Sequence, residues 1–124
     1  MIRVIISLSV MLLLPVVFSA QAVSTFSNVA SNGDVAVDAN GYVYTVSENA
    51  IISRISPQGI VDGTPFLSGG TLNRGTGLAF DPSGDTLYVT CRPLDGNGFI
   101  TRVFPDGSDQ VFCSNLYFPG DISF

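Results

Sequence analysis

The chain contains copies of itself. Gly33-Asp34-Val35-Ala36-Val37-Asp38-Ala39-Asn40-Gly41 lies over Thr76-Gly77-Leu78-Ala79-Phe80-Asp81-Pro82-Ser83-Gly84. Val43-Tyr44 then matches Leu87-Tyr88, and Ile52-Ser53-Arg54-Ile55 matches Ile100-Thr101-Arg102-Val103. Pro57-Gln58-Gly59 answers Pro105-Asp106-Gly107, and a third copy opens at Gly120-Asp121-Ile122-Ser123-Phe124. A period of ~40–50 residues marks a stacked array of small units, because one such unit cannot bury its apolar surface alone.

Each unit reads as four short strands. The first is Val35–Val37 or Leu78–Phe80, and the second is Tyr42–Val46 or Thr86–Thr90. The third is Ile51–Ser56 or Phe99–Phe104, and the fourth lies around Ile60–Phe66 or Asp109–Cys113. Val23–Phe26 reads as one more fourth strand. Asp, Pro, Asn and Gly between the runs supply turn chemistry. No segment carries a helical period, so the expected class is all-β, with four-stranded antiparallel blades of the propeller type.

The first 22 residues stand apart. Arg3 precedes a nearly unbroken apolar run from Val4 to Phe18, and Ala20-Gln21-Ala22 offers small residues for cleavage. Together these predict a secretory signal peptide over 1–22 and an exported, periplasmic or extracellular product. The run falls short of the ~20 residues a membrane-spanning helix needs, so no stable anchor is expected after its removal. Residues 23–124 hold four arginines and no lysine against ten acids. That balance argues against nucleic acid as a partner. There is no histidine, which removes histidine bases and histidine metal ligands.

The pattern Val/Leu-Ala-Val/Phe-Asp-x-Asn/Ser-Gly, followed by Ile-Ser/Thr-Arg-Ile/Val and Pro-x-Gly, resembles NHL-type repeats. It also resembles the blades of SMP-30/gluconolactonase-like and strictosidine-synthase-like propellers. The resemblance implies a six-bladed ring with ligands at the mouth of a central channel. It places blade 1 at about 33–75, blade 2 at about 76–119 and the start of blade 3 at 120–124. Two blades do not close such a ring. The resemblance therefore implies the opening of a longer protein, a shortened relative, or a homo-oligomer of two-blade chains. In the lactonases it implies a divalent metal held by Glu, Asn and Asp side chains, none of which maps residue by residue onto this sequence.

In such blades the functional face is built by the loops from fourth to first strand and from second to third. Here these are Ser27–Asp34, Leu67–Gly77 and Ser114–Asp121, with Ser47–Ala50 and Cys91–Gly98. The expected ligand-contacting residues are Asp34, Glu48, Arg74, Arg92, Asp95, Asn97 and Asp121. Asp34 and Asp121 occupy equivalent positions and are candidates for a hard divalent cation such as calcium, or for solvated carboxylates at the start of a strand. Asp95-Gly96-Asn97-Gly98 looks like a fragment of a calcium loop, although a turn needs the same residues. Arg74 and Arg92 do not recur, so they are better placed to hold an anionic ligand. Arg54 and Arg102 recur and are expected to pair with carboxylates, while Asp38 and Asp81 should cap turns.

Cys91 and Cys113 would favour a disulfide in an oxidising compartment. Two strand spacings of ~9.5 Å oppose it, being wider than the ~7 Å a bridge allows. The reading from sequence is a module that binds a small molecule or a protein through its loop face. The alternatives are part of a metal-dependent lactonase-like hydrolase and a structural self-associating surface repeat.

Overall fold

A computed structural model describes residues 25–29 and 33–124. The expected signal peptide over 1–22 lies outside the described residues. The described chain forms eight strands in chain order: β1 Val35–Val37, β2 Val43–Val46, β3 Ile51–Ile55, β4 Leu67–Ser68, β5 Gly75–Phe80, β6 Leu87–Cys91, β7 Gly98–Val103 and β8 Asp109–Leu116. They make two four-stranded antiparallel sheets, ordered β1-β2-β3-β4 and β5-β6-β7-β8. Each sheet is a meander of neighbouring strands. This is the all-β, blade-like architecture expected from the repeat.

The turns follow from the residues that punctuate the copies. Asp38 Oδ1 accepts hydrogen bonds from the backbone N–H of Asn40 and Tyr42, both at 2.9 Å. Asp81 Oδ1 accepts from the Ser83 hydroxyl at 2.8 Å and from the N–H of Asp85 and Thr86. Gly41 and Gly84 complete these turns at φ of 82° and 78°, a region closed to most side chains. The recurring aspartates therefore cap turns, as their recurrence predicts.

Pairing register decides which side chains meet. Ala36, Tyr44 and Arg54 lie opposite one another across β1, β2 and β3, and Val46 lies opposite Ile52. Leu78, Val89 and Thr101 form a row in the second sheet, and Phe80, Leu87 and Val103 form another. Most of these residues are buried and belong to one core. The first sheet packs on the second through β1 and β2 against β5. Each fully buried Val, Leu or Ile stabilises this seam by about 1.5–3 kcal/mol.

An aromatic cluster repeats at the seams. Tyr44 meets Phe66 of its own sheet edge-on at 5.2 Å, and Phe80 of the next sheet at 5.1 Å. Tyr88 meets Phe112 at 5.2 Å and Phe124 at 5.0 Å. Phe124 thus takes, against the second sheet, the place Phe80 takes against the first. The segment 120–124 lies where a third first strand would start, without forming a strand here.

Three expectations need correction. The fourth strand of the first sheet is not continuous over Ile60–Phe66. Its pairing with β3 splits into a bridge between Ile55 and Val61 and the short β4. Gly63, Thr64 and Pro65 fall between the two pieces. Proline lacks the N–H a ladder needs and breaks the edge strand there. In the second sheet the fourth strand instead runs beyond Cys113 to Leu116. Thr25 and Phe26, the described part of the expected strand Val23–Phe26, lie outside any strand, with the Phe26 carbonyl close against Gly59.

Close backbone approach requires a glycine at position 77. A Cβ on Gly77 would stand 2.6 Å from the Gly120 carbonyl oxygen and 2.8 Å from the Thr90 hydroxyl. A Cβ on Gly63 would meet no atom within 4 Å. Gly77→Ala should destabilise the chain by about 1–3 kcal/mol through overpacking, read as a lower urea midpoint. Gly63→Ala should leave the midpoint unchanged or slightly raised.

The turn caps also set a response to acid. The Ser83 hydroxyl and then the surrounding backbone N–H groups hold the Asp81 carboxyl below the usual carboxylate range. The Ser108 hydroxyl and N–H do the same for Asp106. A depressed folded pKa gives stability that is present above the unfolded value and lost as pH falls through the folded one. Thermal melts should therefore show stability declining as pH drops below about 5, with a shallower decline in Asp81→Asn and Asp106→Asn.

Candidate functional site

Five loop-face candidates fall into one region along the rim of the two sheets, and the strands explain why. β2 and β6 hold the same place in their sheets, so the loops that follow them leave the same edge. Glu48 follows β2, and Arg92, Asp95 and Asn97 follow β6. Arg74 immediately precedes β5. The N–H of Arg92 donates to the carbonyl of Arg74 at 3.1 Å, which ties the two loops together.

Two abutting clefts result. Glu48, Asn49, Asn73, Arg74, Leu94 and Asp95 line one of about 320 Å³. Arg92, Leu94, Asn97, Leu116, Tyr117 and Phe118 line much of the other, of about 90 Å³. Leu94 belongs to both and is 84 % exposed. Arg74 Nη2 donates to Glu48 Oε1 at 3.0 Å, an ion pair across the first cleft. The Arg92 guanidinium lies over the Phe118 ring, 5.6 Å from its centre.

These two contacts occupy matching places in the repeat. Glu48 and Arg92 are equivalent positions, and so are Arg74 and Phe118. Arg74 and Phe118 share a left-handed backbone, with φ of 49° and 47°. Among the described residues, the other left-handed non-glycine residues are Ala50, in the loop after β2, and Asn115, near the end of β8. Side chains rarely accept this conformation without cost, and such residues cluster where loops present groups outward. The repeat therefore holds one device twice: a residue after the second strand meets a left-handed residue before the next first strand. Blade 1 fills it with an ion pair and blade 2 with a cation over a ring.

Asp34 and Asp121 serve the backbone. Asp34 Oδ1 accepts from the Val35 N–H at 2.7 Å, and Oδ2 accepts from the Leu78 N–H of the next sheet at 3.2 Å. Asp121 Oδ1 accepts from the Ile122 N–H at 2.8 Å. Asp34 directly precedes β1, whereas residues 120–124 form no strand. Among the described residues, no three carboxylate or thiol groups gather as a metal would require. Neither Asp34 nor Asp121 lines the two clefts, whereas Glu48, Arg74, Arg92, Asp95 and Asn97 do.

The recurring arginines have unlike partners. Arg54 Nε bonds Asp62 at 2.7 Å, and its guanidinium lies 5.1 Å from the Tyr42 ring centre. Asp62 is the carboxylate its recurrence predicts. Arg102 differs: its Nη2 donates to Gln110 at 2.8 Å, so an amide replaces the expected carboxylate. Both cysteines are free thiols. Cys91 pairs with Phe99 and Cys113 with Ile100, which leaves β7 between them. Burial pushes the Cys91 thiol up, away from the reactive thiolate.

Leu94, Tyr117 and Phe118 are cleft residues that the sequence pattern does not mark out. Tyr117 is 86 % exposed and touches Phe118 edge-on at 4.8 Å. The available signal is the alignment of Asn73-Arg74 on Tyr117-Phe118, which sets two aromatics where the first copy has polar residues.

The Glu48–Arg74 pair is half open to water, so its worth is small. A double-mutant cycle with Glu48→Gln and Arg74→Gln should give a coupling of about 0.2–1 kcal/mol that fades in 1 M salt.

No protein-family model matches the chain. No curated protein matches it either. Among solved structures it is similar to a crystal structure described as an oxidoreductase (glucose dehydrogenase) from Thermus thermophilus. The TM-score is 0.50 at 12 % identity, over 66 % of this chain and 27 % of that one. The match spans about a quarter of the neighbour's length, and at this identity it bears on fold alone. With the two antiparallel sheets and the repeated seam, it makes this an all-β chain with propeller-type blades.

Proposed function

We propose that this chain is an exported propeller-type module that binds a small molecule through its loop face. One observation carries the reading. Five residues singled out for their loop positions, Glu48, Arg74, Arg92, Asp95 and Asn97, line two clefts that share one exposed leucine. Concave sites that combine apolar walls with a few polar groups are the usual form of ligand pockets. The larger cleft, at about 320 Å³, falls at the low end of the ~300–1,000 Å³ of small-molecule pockets.

The fold likeness to a protein described as a glucose dehydrogenase supports a propeller scaffold and carries no substrate to this chain. A lactonase-like reaction would need a metal. The Glu, Asn and Asp ligands that the lactonase resemblance implies do not map residue by residue onto this sequence. Binding is therefore the reading the geometry favours.

Leu94 provides the test, since it lines both clefts and its exposure makes it replaceable. A fragment library screened by saturation-transfer NMR should give hits on the wild-type chain that vanish with Leu94→Glu at an unchanged melting temperature. Hits that persist in the variant, or a wild-type chain with none, would overturn the proposal.

A further inference from the structure

The smaller cleft has a charge pattern unlike the rest of the molecule. The chain carries a formal net charge of −5. Yet Arg92 is the one charged residue among those lining this cleft. Its counterpart in the first copy is Glu48, which is paired with Arg74. Arg92 has no carboxylate partner among the described residues. It rests instead on Phe118, whose ring meets its cation without neutralising it. A guanidinium stacked on a ring still has its in-plane N–H donors free to grip a carboxylate in bidentate fashion.

The walls around Arg92 are apolar. Leu94, Tyr117 and Phe118 are 84 %, 86 % and 64 % exposed, and Leu116 and Pro93 complete the lining. Exposed side chains of this size in one place mark a contact surface, since each gains from being covered. The cleft is small, about 90 Å³, so it holds only part of a ring or short chain, the rest lying over its open rim. The surrounding acids do not defeat an anion here. Asp95, between the lining residues Leu94 and Gly96, faces the abutting cleft, and the lining of this one carries no carboxylate.

We infer that this cleft is a subsite for a small carboxylate with an apolar body, its carboxylate held by the Arg92 guanidinium and its body laid against Leu94, Tyr117 and Phe118. This rests on the loop-face reading and adds the ligand's chemical class to it. Asn97, on the same rim, is placed to offer its amide to a second polar group of the ligand.

The test compares an acid with its neutral isostere. Phenylacetate and phenylacetamide are titrated into the full chain, with backbone amide shifts recorded for wild type, Arg92→Gln and Arg102→Gln, the last at an arginine that lines neither cleft. Phenylacetate should shift the amides of residues 92–98 and 116–118 and bind about tenfold tighter than the amide, because charge-assisted bonds are the stronger kind. Arg92→Gln should remove that preference while leaving weak binding of both compounds, and Arg102→Gln should keep it. Equal binding of acid and amide at these residues would overturn the carboxylate assignment and leave the loop face standing as a binding surface. Binding of neither compound, or an acid preference that survives Arg92→Gln, would overturn the assignment too. Loss of the loop face itself would show separately, as fragment hits indifferent to Leu94→Glu.

Discussion

The seam between consecutive sheets is the contact on which everything else stands. A four-stranded sheet has two faces, and neither survives alone in water. Tyr44 resolves this for the first sheet, because its ring is gripped by Phe66 beside it and Phe80 across from it. Burial pushes the Tyr44 phenol up, with Arg54 pulling it back. A tyrosine suits the place because its ring fills the seam while its hydroxyl reaches Asp38 at 3.4 Å. Remove the seam and the loops lose their common direction, since the packing of β1 and β2 on β5 is what brings Glu48, Arg74 and Arg92 together.

Much of this could be read from the chain itself, and the reasons differ by element. The first three strands of each sheet were legible because apolar runs and capping aspartates repeat with them. The fourth strand of the first sheet was not, because Pro65 falls within the run and splits its pairing. The loop face was legible in outline from the order of strands. Its walls were not. Nothing in Tyr117 and Phe118 taken singly distinguishes an exposed ring from a core one, and only folding leaves them uncovered. Asp109 escapes a sequence reading for a similar reason. Its Oδ2 accepts from the Thr71 N–H, a contact between distant segments that no local pattern announces.

The repeat also shows how such a scaffold separates stability from recognition. The caps at Asp38 and Asp81 and the tyrosines at 44 and 88 keep their identity from copy to copy. Positions 48 and 92, and 74 and 118, change theirs completely, while Arg74 and Phe118 keep the same backbone shape. The sheet therefore sets where a group is presented, and the loop residue alone sets which chemistry is presented.

The two seams are fastened by unlike means. Asp34 reaches from the first sheet to the Leu78 N–H of the second. Gly77 stands at the matching place in the next copy and has no side chain to reach onward. There the Thr90 and Thr76 hydroxyls donate instead to the carbonyls of Gly120 and Pro119. One joint is a carboxylate clasp and the other a pair of neutral alcohols on bare backbone. Each joint is thus set by its own residues, Asp34 at the first and Thr76 and Thr90 at the second, so the repeat can retie one without rewriting the other.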